Sequence, residues 1–124
     1  MFKSVVPILH VSNVTRSAEF FRQILGFGVD FLYGEPPFYG AVSRDDVCLH
    51  LRHVHATNFA ELAAREPLLI NASIEVSDVW ALFDEFKARG ADFAQAVVKQ
   101  DWGGTDFHVR DPDGNAISFV TYGV

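Results

Sequence analysis

The run Gln100–Val120, QDWGGTDFHVRDPDGNAISFV, decides how the chain is read. It opens with Trp102 beside Gly103 and Gly104 and then alternates: Phe107 and Val109 point one way, His108 and Arg110 the other. Alternation with a period of two marks a half-buried strand. Asp111-Pro112-Asp113-Gly114-Asn115 is a tight turn. Proline presets φ there, glycine accepts positive φ, and the Asp and Asn side chains cap nearby backbone. Ala116, Ile117, Phe119 and Val120 supply an apolar return strand. The chain closes on a β-hairpin.

Working back from that hairpin, Leu68–Val76 reads as a strand and Ser77-Asp78 as a helix cap. Val79, Leu82, Phe83 and Phe86 mark a helix that Gly90 ends, and Ala91–Val98 reads as a strand. The same order appears earlier. Val5–Val11 is an apolar strand in which Pro7 suggests an edge or a hinge. Ser12-Asn13 is cap material, and Val14, Ala18, Phe21 and Leu25 recur at helical spacing before Gly26. Val29–Tyr33 is a strand, Gly34-Glu35-Pro36-Pro37 a loop, and Phe38–Ser43 with Val47–Val54 a hairpin around Arg44-Asp45-Asp46. Val11-Ser12-Asn13-Val14 is echoed by Val76-Ser77-Asp78-Val79 about 65 residues later, the sign of a duplicated unit. The reading is α+β, with one domain over 1–124. A first β-α-β-β-β module covers 1–55, a loosely helical linker or long loop 56–67, and a second module 68–124.

Composition bounds the function. The chain has 124 residues, 49% of them hydrophobic and 14% aromatic, enough for a real core and too apolar for disorder. No apolar run is long enough for a membrane span, and the N-terminus reads as a first strand in place of a signal peptide. The single cysteine, Cys48, excludes an intrachain disulfide and makes the reducing cytoplasm the expected home. A net charge of −6 argues against nucleic acid and mildly favours a cationic small molecule.

Each module has one helix to cover its sheet, so the second sheet face is left for a small-molecule cleft. Alternation assigns Val6, Ile8 and His10 to that side in the first strand, and Cys48, His50 and Arg52 in the fourth. In the second module it assigns Asn71, Ser73 and Glu75, and then Ala116, Ser118 and Val120. His50, His53 and His55 cluster in sequence, but His50 and His53 fall on opposite faces, and partly exposed strand-end histidines is the plainer reading. Cys48 and His50 share a face at about 7 Å between Cα atoms, too far for an activated thiolate pair. Asp45-Asp46 and Asp111/Asp113 are explained as turn residues. Trp102, in a loop before a strand, belongs to no helix stripe. It serves either as core or as a flat stacking surface for an aromatic or cationic ligand.

The chain resembles the vicinal-oxygen-chelate superfamily (glyoxalases, extradiol dioxygenases, bleomycin resistance proteins) along nearly its whole length. The matching motifs are V-P-I-L from Val6, E-F-F-x-x-x-L-G-F from Glu19, D-F at Asp30, R-D-D-V at Arg44 and W-G-x-x-x-F-x-V-R-D-P-x-G-N from Trp102. The W-G dipeptide ahead of the last hairpin is similar to bleomycin resistance proteins in particular. That resemblance implies paired βαβββ modules forming a curved mixed-sheet cleft, and a dimer exchanging N-terminal strands near Pro7. It implies binding and sequestration of a bleomycin-type glycopeptide or similar planar aromatic molecule, without bond breaking. Trp102, Phe38, Tyr39 and Phe31 would stack on the ligand, and His50, Arg52, Asn71 and Glu75 would make polar contacts, with Gly103 and Ser118 beside them. The metal ligands of the superfamily's enzymes fall here on Val6, His50, Asn71 and Ser118. Only His50 is a good transition-metal ligand and a catalytic site needs about three, so no metal or other cofactor is expected. A two-residue slip would bring His10 into the set. A metal-dependent lyase, isomerase or dioxygenase therefore stays open, as does a binder of an unrelated aromatic metabolite. Relative to strong binders, the loop before Phe38 is poor in acids, offering Glu35 followed by two prolines. Arg52 and His50 also put basic groups on the presumed ligand face, and both departures weaken the case for a polycationic ligand.

Overall fold

The computed structural model describes residues 1–56, 59–66 and 69–123. The chain divides into two compact units, Met1–Thr57 and Asn58–Val124, each carrying one β-α-β-β-β repeat. The fold is α+β, with a four-stranded mixed sheet in each unit.

In the first unit β1 (Ile8–Val11), α1 (Val14–Gln23), β2 (Gly28–Tyr33), β3 (Tyr39–Arg44) and β4 (Val47–His53) follow in order. The sheet order is β1-β4-β3-β2, with β1 parallel to β4 and the other pairs antiparallel. Asn13 caps α1 by accepting the Arg16 amide at 3.0 Å on Oδ1. The predicted stripe holds: Val14, Ala18, Phe21 and Leu25 are all buried, against Leu9, Val11, Val42, Leu49 and Leu51 of the sheet. β1 is shorter than the predicted Val5–Val11. The register begins at Ile8 opposite His50; just ahead of it Pro7 still accepts the His50 N–H on its carbonyl at 2.9 Å but, as a proline, has no N–H to carry the ladder further.

A short helix, α2 (Phe59–Arg65), precedes the second repeat. There β5 (Ala72–Glu75), α3 (Val79–Ala88), β6 (Asp92–Lys99), β7 (Gly104–Arg110) and β8 (Ala116–Tyr122) form a sheet of order β5-β8-β7-β6. β5 covers only part of the predicted 68–76, of which Leu68 lies outside the described residues. Asp78 caps α3 as Asn13 caps α1, accepting the Ala81 amide at 3.1 Å. Beneath the helix, Phe107 and Phe119 are opposite one another in register and stack at 5.3 Å between ring centres. Phe86 meets both rings edge-on, and Phe83 bridges Phe93 and Phe107. This aromatic core fixes the helix-side face of β7, and alternation hands Gly104, Asp106 and His108 to the other face.

Among the described residues no helix is long and apolar enough to cross a membrane.

Candidate functional site

On the first unit, the sheet face away from α1 gathers an aromatic group around Ala41. Ala41 is in register with Phe31 on one side and with His50 on the other. Its methyl leaves room for the rings about it. Phe31 lies parallel to Tyr39 at 6.5 Å, and the His50 ring meets Tyr39 edge-on at 5.3 Å and Phe31 at 6.2 Å. Tyr39 Oη and His50 Nδ1 share a hydrogen bond of 2.8 Å. A bulge between Val29 and Phe31 puts Asp30 on this face as well, where its Oδ1 accepts from Ser43 Oγ at 2.8 Å. Cys48, opposite Ser43, is the weaker candidate for chemistry. Burial and then the Asp30 charge push its thiol pKa up, which keeps it protonated and works against a nucleophilic thiolate.

Phe38 stands apart from that group, edge-on to Tyr33 at 5.4 Å. Its backbone is held at both sides, by N–H donation to the Tyr33 carbonyl and by the His53 N–H donating to its own carbonyl. It walls a pocket of about 310 Å³ between residues 12–15 at the start of α1 and Pro36, Pro37 and His53. Arg52 is exposed on β4, in register with Tyr39 and His10.

On the second unit the site centres on the turn from β6 into β7. Gly103 has φ +100°, donates to the Gln100 carbonyl and accepts from the Gly123 N–H. A side chain at Gly104 would come within 2.1 Å of the Trp102 ring and 3.0 Å of Val120. The missing side chain at Gly104 therefore leaves the space that the indole fills over β7. There Trp102 tilts against Tyr122 at 6.0 Å while staying 60% exposed. Next along the same face is a cluster of four polar side chains that sequence reasoning missed. Asp106 Oδ1 accepts from Gln95 Nε2 and Gln100 Nε2, each at 2.9 Å, and Asp106 Oδ2 lies 3.3 Å from His108 Nε2. The D-x-H spacing was visible in the strand. Gln95 was not, because two irregularities in the β6–β7 pairing displace its register.

The remaining expected contacts separate. Glu75 is exposed on β5. Asn71 is engaged with Ala116, donating through its backbone N–H and accepting on Oδ1, both at 2.8 Å, so it latches the start of β8. Ser118 lies on the expected face, opposite His108 and Ser73, but is 2% exposed. Ala116, Ser118 and Val120 share that face, and all three are buried.

The residues do not fit a catalytic metal. Of the four positions, Val6 has no ligating atom, Ser118 is a poor ligand and Asn71 spends Oδ1 on the Ala116 N–H, which leaves His50, whose Nδ1 bonds to Tyr39. Among the described residues no three His, Cys, Asp or Glu side chains are grouped to hold an ion.

The model of the Glyoxalase/Bleomycin resistance protein/Dioxygenase superfamily matches residues 4–119. No curated protein matches. Among solved structures, the chain is similar to the bleomycin-binding protein of Streptomyces verticillus complexed with copper(II)-bleomycin. The identity is 28%, with 100% of this chain and 98% of that one covered, at a TM-score of 0.75. A bleomycin-binding protein complexed with bleomycin is similar in fold at 21% identity, 97% and 98% coverage and a TM-score of 0.78. So is a glyoxalase-related enzyme from Clostridium phytofermentans, at 17% identity, 98% and 96% coverage and a TM-score of 0.77.

Proposed function

The chain belongs to the Glyoxalase/Bleomycin resistance protein/Dioxygenase superfamily, and on that premise we propose that it binds and sequesters a bleomycin-type glycopeptide antibiotic, or a similar planar aromatic molecule, without a metal and without breaking a bond. The observation that carries this reading is the exposure of large rings on a strand and in the loops that enter β3 and β7: Trp102 at 60%, Phe38 at 50% and Phe31 at 46%. Exposed aromatic rings offer a face on which a planar ligand can stack. Gly103 supplies the positive φ of the turn, and the missing side chain of Gly104 leaves the space over β7 that the Trp102 ring fills. The relative at 28% identity carries copper(II)-bleomycin, and the net charge of −6 favours encounter with a cationic ligand. Phe31, Tyr39 and Phe38 add stacking surfaces, His50, Arg52 and Glu75 polar ones, and Asn71 acts on the ligand only through the strand that it latches.

The working form in this reading is a cytoplasmic homodimer that exchanges its first residues. Met1, Phe2 and Val5 are almost wholly exposed ahead of β1, an apolar arm suited to a partner subunit.

A fluorescence titration of chelator-treated Trp80→Phe protein with bleomycin tests the function, since Trp102 is then the sole tryptophan. Saturable quenching is expected. Emission unchanged by ligand up to millimolar concentration would refute the Trp102 stacking model.

A further inference from the structure

The cluster on the second sheet has an asymmetry with chemical consequences. Both glutamine amides donate to the same carboxylate oxygen, Asp106 Oδ1, and His108 Nε2 approaches the other, Oδ2. Both partners of the Asp106–His108 pair are 5% exposed at the side chain. With its Nε2 hydrogen donated to the carboxylate, a neutral imidazole keeps Nδ1 as an acceptor. Among the described residues that Nδ1 has no hydrogen-bond partner, and it is not one of the side-chain atoms sealed from solvent without one. His108 is buried apart from this acceptor, which still meets solvent, so water satisfies it until a ligand donor takes that place. His108 shares its face with Asp106 and Gly104, and the Trp102 ring lies on Gly104 and Val120, so stacking surface and acceptor are on one side of one sheet.

We infer that Asp106 and His108 form a hydrogen-bond-acceptor subsite, which selects extended planar aromatic ligands carrying an N–H or O–H donor on the ring edge. This rests on the reading of Trp102 as a stacking surface. Asp106 sets the tautomer, Gln95 and Gln100 set the carboxylate, and His108 Nδ1 receives the ligand's hydrogen. Gln100 also accepts the Gly103 N–H on its backbone carbonyl, so the residue that orients Asp106 helps to form the Trp102 turn. Gly104 and His108 are four residue steps apart on β7, about 13 Å, which is why the ligand must be longer than a single ring.

The probes are 2-phenylbenzimidazole and its N-methyl derivative, which differ by one donor and are titrated at pH 8 by calorimetry. The wild-type protein should bind the N–H compound about tenfold more tightly, the value of roughly one net hydrogen bond. His108→Phe keeps an aromatic ring without an acceptor, and the ratio should fall to about one. Asp106→Asn is the sharper test. Two glutamine donors hold its carbonyl at the Oδ1 position, so its amide N–H faces His108 Nε2 and drives the ring hydrogen to Nδ1. The preference should again be lost, with the ring tautomer change visible in nitrogen-15 NMR of the folded variant. Trp102→Ala should weaken both probes alike without changing their ratio. A wild-type protein that binds neither probe, or binds both equally, overturns the subsite. A tenfold ratio that persists in both His108→Phe and Asp106→Asn overturns it as well. Trp102→Ala binding both probes undiminished would instead sink the stacking reading.

Discussion

Gly103 and Gly104 serve Trp102 in different ways. The first supplies a left-handed backbone, the second an empty site for the ring to lie on. Gly104→Ala should therefore lift the indole off β7 and weaken aromatic-ligand binding by tenfold or more. Far-UV circular dichroism should stay unchanged, and both are read in one titration series. Asp111 carries a second consequence at this scale. It accepts the Asp113 and Asn115 amides and the Asn115 side chain within the last turn, and is 5% exposed. Burial raises its pKa from 3.8 to about 6, against the lowering effect of those hydrogen bonds. Between those values the folded state keeps a proton that the unfolded state has lost, so stability falls as pH rises through this window and is level above it. The full difference corresponds to roughly 3 kcal/mol at 1.36 kcal/mol per pH unit. Denaturant melts from pH 3.5 to 7 should show that component in the wild type and not in Asp111→Asn.

Across the elements, the terminal hairpin organises the second unit. Phe107 is fully buried among Phe83, Phe86, Phe93 and Phe119, so Phe107→Ala should cost about 3–5 kcal/mol in chemical denaturation. This hairpin was legible because its signals are local: turn chemistry, a period of two and apolar residues on one face. Both helices were legible for the same reason, their caps Asn13 and Asp78 standing one residue ahead of the first buried valine. The polar floor of the site was not. Gln95 reaches Asp106 only because the β6 ladder slips. Bulges change which residues share a face, and nothing in the local pattern announces them. Asn71 shows the opposite failure. Its facing suggested a ligand contact, while a partner 45 residues away claimed its side chain.

For the molecule as a whole, the duplicated repeat explains why so much aromatic surface is presented without loss of core. Each unit buries one face of its sheet beneath a single helix and spends the other on rings and hydrogen-bonding groups. The exposed arm ahead of β1 bears on assembly. Deleting residues 1–7 should shift the protein from dimer to monomer in sedimentation velocity, whereas an unchanged species would remove the exchanged arm from consideration. The central claim concerns binding without metal, and calorimetric titration with bleomycin in excess chelator addresses it most directly. A saturable isotherm near one ligand per chain, with the antibiotic recovered intact, is the result expected of a sequestering protein. Heat that disappears on chelation, or antibiotic recovered as a cleaved product, would contradict it.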